Sequence, residues 1–165
     1  MALLNFTTKI VLAVSLVSIG TLSFAADGDH TSWRGTFLGQ SRGDVVKALE
    51  GKLVTTEDDF AGDPQIQAIG KSHERCGTFD LRNDIVVRMN LNPCFFDIYD
   101  NISDRDFAKI LLNHYDISSF EPEPTQMSGV SIVYKGNTTH GESLTVFEQI
   151  GTISVTVEPE PKGEF

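Results

Sequence analysis

The chain has two cysteines, and the stretch they bracket, CGTFDLRNDIVVRMNLNPC from Cys76 to Cys94, constrains its fold more than any other. On one side Phe79 and Leu81 alternate with polar residues. On the other, Ile85, Val87, Met89 and Leu91 share one face, and Asp84, Val86, Arg88 and Asn90 the opposite one. Period-two alternation marks strands that bury one face, and Arg82-Asn83-Asp84 supplies turn chemistry between them. The stretch therefore predicts a β-hairpin closed near its open end by a Cys76–Cys94 disulfide. Such a link stabilises a fold by about 3 kcal/mol on chain-entropy grounds. The spacing is neither C-x-x-C nor a zinc pattern, which argues against a redox or metal pair.

A disulfide fits an exported chain, and the N-terminus agrees. Lys9 precedes the mostly apolar run Ile10 to Val17, and Ser23-Phe24-Ala25 places small residues where a signal peptidase needs them. Residues 1–25 are expected to be a secretory signal peptide cleaved after Ala25, because the apolar run is short for a membrane span. No lipid-acceptor cysteine follows, so no stable membrane anchor is expected after cleavage. A simple leader and a single disulfide fit a periplasmic or secreted protein.

Residues 26–157 are expected to form a single domain, and 158–165 (EPEPKGEF) a disordered tail. Without Lys9 the mature chain has 12 basic against 23 acidic residues, a formal net charge of −11. That balance disfavours nucleic acid and anionic membranes, and suits a basic protein partner.

Along the chain, Trp33 to Leu38 reads as a short strand. Ser41-Arg42-Gly43-Asp44 is a capping box, with Val45, Ala48 and Leu49 at helical spacing and Gly51 as a stop. This predicts a helix over 42–50. The acidic stretch 57–64 reads as a loop and 65–70 as a strand. Phe95, Phe96, Ile98 and Tyr99 form an aromatic connector after the hairpin. A second box, Ser103 to Asp106, opens a helix over 104–115, with Phe107, Ile110, Leu111 and His114 on one stripe. His114, at its margin, reads as a packed histidine. EPEPT (121–125) reads as an extended linker. Strands follow around Val130, Ile132 and Tyr134, around Leu144 and Val146, and around Ile153, Val155 and Val157. The expected fold class is α+β, an antiparallel sheet with two helices on one face. The boxes start 62 residues apart, which suggests a tandem α-β-β(-β) duplication.

FLGQSRGDVVKALEG, through Gly39, Ser41, Val45, Leu49 and Gly51, resembles the helix-entry segment of small exported α+β domains, namely the BamE-like outer-membrane assembly lipoproteins and the tandem-repeat β-lactamase-inhibitor proteins. The missing lipidation cysteine departs from the BamE-like pattern. The resemblance covers about a tenth of the mature chain. It implies a binding scaffold and not an enzyme, and no family residue transfers.

Several motifs compete with that reading. Gly39 to Gly43 matches G-x-S-x-G, so Ser41 could be a nucleophile, with Asp97 or Asp100 and His114 or His140 completing a triad. The alternative, which we favour, is that Ser41 caps the first helix. An α/β-hydrolase needs parallel βα units on both sides of the serine, and this pattern lacks them. Arg42-Gly43-Asp44 spells an integrin-type tripeptide at a helix start. His30, His73, His114 and His140 lack metal-ligand spacing. The acidic cluster Glu57/Asp58/Asp59/Asp63 places Ala61 and Ala68 where a calcium loop needs oxygen, and the other acidic clusters read as solvated loops and helix N-terminal acids. No cofactor is implied. Asn101 and Asn137 head glycosylation triplets that matter only in a eukaryotic host.

The expected function is a non-enzymatic protein-binding module (inhibitor, immunity-type or envelope-assembly protein) working through acidic loops and an open sheet face. Trp33, Phe60 and Tyr99 are the candidate aromatic anchors. The alternatives are a small serine hydrolase using Ser41 and a carrier of a small apolar ligand.

Overall fold

The computed structural model describes residues 30–60, 62–123, 133–149 and 151–161. The expected signal peptide, Val130 and Ile132, and the last four residues of the tail lie outside these. The fold is α+β with sheet dominant. Helix α1 (Arg42–Leu49) is followed by strands β1 (Val54–Phe60), β2 (Asp63–Ile69), β3 (Arg75–Arg82) and β4 (Ile85–Leu91). A 3-10 turn at Pro93–Phe96 leads to helix α2 (Asp104–His114). Then come β5 (Ile117–Glu123), β6 (Val133–Thr138), β7 (Glu142–Gln149) and β8 (Thr152–Pro159). All eight strands join one antiparallel sheet in the order β1-β2-β3-β4-β8-β7-β6-β5.

Both helices start where the capping boxes place them. The Ser41 hydroxyl accepts the Asp44 amide at 3.3 Å, and the Ser103 hydroxyl accepts the Asp106 amide at 3.1 Å. Each serine has extended backbone, as an N-cap requires. The helices bury Val45 and Leu49, and Phe107, Ala108 and Leu111, in one core shared with the sheet.

The register explains that core. Ile66, Phe79, Met89, Val157 and Leu144 are successive partners across five strands, and all are fully buried. The row continues through Gly136 to Phe120 on the outer strand. A Cβ at Gly136 would lie 2.1 Å from the Ser119 carbonyl oxygen and 2.8 Å from the Phe120 ring, so only glycine fits beside β5.

Four expectations need correction. Trp33 to Leu38 is not a strand. Trp33 and Thr36 close a tight turn by exchanging backbone hydrogen bonds, with Arg34 and Gly35 at positive φ. The acidic stretch 57–64 is not a loop but mostly strand, since Glu57, Asp58 and Asp59 pair with Ile66, Gln65 and Pro64. Glu121 and Pro122 are not linker but β5, paired with Lys135 and Tyr134. Glu158 and Pro159 belong to β8, not to the tail.

The disulfide hairpin forms as expected, with Asn83 and Asp84 both at positive φ in the two-residue turn. Its parity, however, slips. Asp80 faces Arg88 while Leu81 faces Val86, so Val87 is an extra residue in a β-bulge. Val86 is therefore buried with Met89 and Leu91, and Ile85 is pushed out to solvent.

Candidate functional site

The face of the sheet opposite the core is polar. Gln67, Thr78, Asn90, Thr156, Thr145 and Lys135 are successive partners across six strands. These residues alternate with the buried rows, so they project to the opposite side. At the centre of this open face the Thr156 hydroxyl donates to Asn90 Oδ1 at 2.9 Å. On one side of this row, Phe147 and Val133 stand half-buried on β7 and β6.

On the other side a groove of about 920 Å³ lies along β2, β3, β4 and the end of β8. Its lining includes the carboxylates of Asp63, Asp80, Glu158 and Glu160 and the guanidinium groups of Arg82 and Arg88. Gln65 donates from Nε2 to Asp80 Oδ1 at 2.8 Å. Burial pushes the Asp80 carboxyl above its ordinary range, and the Arg88 charge and the Gln65 amide only partly oppose it. Arg88 stands 3.9 Å from Glu158, with both side chains well exposed.

The anticipated anchors divide. Trp33 is wholly buried, stacked on Tyr115 at 4.5 Å between ring centroids and edge-on to Phe96 at 6.3 Å. It is a core residue, not a contact residue, because the turn at Arg34-Gly35 folds it inward. Tyr99 is 59% exposed. It borders a smaller cleft of about 290 Å³ that it shares with Glu74, Cys94, Ile102 and Ile153. Phe60 ends β1, and its side chain is not among those described.

Ser41 is occupied as a cap. Its hydroxyl donates to Asp44 Oδ2 at 2.6 Å, and among the described residues no histidine hydrogen-bonds to it. His114 ends α2 in solvent and is not the packed histidine expected there. Arg42 of the Arg-Gly-Asp triplet is tied to Glu57 at 3.1 Å and Asp84 at 2.8 Å, and these bonds, Glu57's foremost, raise its pKa. The triplet therefore opens a helix and does not crown a loop.

Cys76 and Cys94 form the expected disulfide, with Cα atoms 5.2 Å apart. Glu74 places Oε1 3.8 Å from Cys76 Sγ. The three groups lie close enough to suggest ligands, but both sulfurs are committed to one another and offer no thiolate. The acids Glu57, Asp58 and Asp59 alternate along β1 instead of converging. Glu57 points to Arg42, and Asp58 accepts from Gln67 on the other side. Asn101 is exposed in the loop before α2, and Asn137 is exposed on β6. Glu142 is 4% exposed, and neither carboxylate oxygen has a partner among the described residues.

Sequence reading missed the groove, because it is assembled from four strands. The available signal was the run of polar residues at alternate positions: Gln65 and Gln67, Thr78 and Asp80, Arg88 and Asn90, Thr156 and Glu158. Among the described residues, no helix is long and apolar enough to cross a membrane. Comparison with family models, with curated proteins and with solved structures gives no match.

Proposed function

We propose that this is an exported, non-enzymatic protein-binding module, and that the open polar face of the sheet is its contact surface. The observation that carries the reading is the continuity of that face. The three pairs Met89–Val157, Asn90–Thr156 and Leu91–Val155 join two four-stranded meanders into one surface. Antiparallel sheets can cover one face with helices and present the other to a partner. Here the presented face offers hydroxyls, amides and charges, and half-buried Phe147 and Val133 give it an apolar edge. The disulfide supports export to a periplasmic or extracellular compartment.

The halves repeat one order, a serine-capped helix and then four strands. We read this as a tandem duplication, with a two-fold axis between Asn90 and Thr156, the middle pair of the seam. That order also suits the tandem-repeat, inhibitor-type scaffolds that the segment around Ser41 resembles. The chain's acidity makes a basic protein the fitting partner.

The test is hydroxyl-radical footprinting of the protein with a partner captured from host extract. Protection of Phe147 and Val133, with Val46 and Leu112 on the helices unchanged, is the expected result. Protection of Val46 and Leu112 alone would overturn the assignment of the face.

A further inference from the structure

We infer that the groove along β2, β3, β4 and β8 seats a basic side chain of the protein partner. This rests on the protein-binding reading and adds the chemistry that the partner must present at one end of the sheet face.

Four carboxylates face two guanidinium groups around this groove. A concave site lined by an excess of one sign focuses its field more strongly than the same charges spread on a convex surface. Arg88, which faces Asp80 in the register, offsets it only in part, and its contact with Glu158 is long and solvent-screened. Asp80 is one of the four carboxylates. It is half-buried between Gln65 and Arg88 in the register, and only Oδ1 carries a described hydrogen bond. Burial withdraws its carboxyl from water, and the Arg88 charge and the Gln65 amide offset that only in part. An incoming ammonium or guanidinium would supply the missing compensation. The bulge at Val87 belongs to the same wall, and bulges re-aim side chains beside binding sites.

The other dense run of acids fits the role less well. On β1, Glu57 is already paired with Arg42, and Asp58 with Gln67, and both carboxylates stand in open solvent. Attraction there is weak and screened.

The test uses an acetylated, amidated tetra-arginine peptide titrated into the oxidised, exported protein at low ionic strength, followed by amide chemical shifts and calorimetry. The expected result is saturable binding with the largest shifts at Gln65, Asp80 and Asn90. Asp80→Asn combined with Glu158→Gln should weaken binding at least tenfold, while Glu57→Gln combined with Asp59→Asn changes it less than twofold. Shifts centred on β1, the reverse variant pattern, or absence of saturable binding would overturn the inference. Thr145→Arg separates the two levels, because it blocks the open face outside the groove. Partner binding lost in Thr145→Arg but intact in Asp80→Asn/Glu158→Gln would sink the groove and leave the sheet-face reading standing. Loss in both variants supports both, and loss in neither sinks both.

Discussion

Thr156 of β8 donates a hydrogen bond to Asn90 of β4 at 2.9 Å, across the seam where the two halves of the sheet meet. One residue along the same ladder, Met89 and Val157 pair in the core. A single register thus fixes both sides of the seam, apolar toward the helices and polar toward the open face. A one-residue slip would exchange the two. The open face and the core are therefore coupled, and predictions about stability bear on the proposed contact surface.

Ser41→Ala and Ser103→Ala each remove the hydroxyl that accepts a first-turn amide. Each should cost about 1 kcal/mol, the usual value of a lost N-cap. The caps sit on different helices, so the double variant should show nearly the sum in urea unfolding. A fluorophosphonate probe should not label Ser41. Stoichiometric labelling lost in Ser41→Ala would contradict the capping role.

Denatured protein without reductant should show no free thiol. Reduction should lower stability by about 3 kcal/mol, the chain-entropy value for a loop of this length. The Glu74 carboxylate near Cys76 Sγ should repel an attacking anionic thiolate. Glu74→Gln should therefore speed reduction by glutathione several-fold more than reduction by cysteamine. Equal acceleration by both reagents would mean that the substitution merely loosens the hairpin.

Glu142 buries both carboxylate oxygens without a described partner. It begins the helix-facing row of β7 that continues through Leu144 and Val146. Replacing an uncompensated buried polar group with an apolar one of similar size removes a desolvation cost. Glu142→Leu should raise the unfolding free energy by about 1–3 kcal/mol, the usual cost of burying an unpaired polar group. A lower urea midpoint would show that Glu142 has a compensating partner.

Two aspartates should give acid-dependent effects of opposite sign. The hydrogen bond from Lys109, then that from Ser103, holds the Asp106 carboxyl below its ordinary range. Its contribution is present above the usual aspartate pKa and is lost as pH falls through the lower folded value. Asp106→Asn should therefore destabilise at neutral pH and much less in strong acid. Asp80 is raised by burial, so its ionisation opposes folding once pH exceeds the raised value. Asp80→Asn should raise the urea midpoint at neutral pH and leave it unchanged below the ordinary aspartate range. A drop at neutral pH would mean that its bond to Gln65 outweighs burial.

Legibility in the sequence followed the physical role of each segment. The two helices were readable because Ser41/Asp44 and Ser103/Asp106 are local signals that need no tertiary context. The Cys76–Cys94 hairpin was readable because both arms lie inside the sheet and alternate strongly. The missed strands, β1 and β5, are the two edges. Edge strands carry charges and proline to prevent stray pairing, and Glu57-Asp58-Asp59 and Pro122 therefore looked like loop. The parity slip at Val87 was invisible because Ile85, Val86 and Val87 are all apolar. Trp33 was misjudged because its burial depends on Tyr115, far along the chain. The open face was anticipated as a surface, but its acidic groove exists only once β2, β3, β4 and β8 are adjacent.

The most direct test measures the Kd of the captured partner for three forms of the oxidised protein: unmodified, Thr145→Arg on the open face, and Leu112→Arg on the outer side of α2. Circular dichroism would confirm that each is folded. The account predicts at least a hundredfold loss for Thr145→Arg and less than a threefold change for Leu112→Arg. Undiminished binding by Thr145→Arg, with loss in Leu112→Arg, would place the interface on the helices and contradict the central claim.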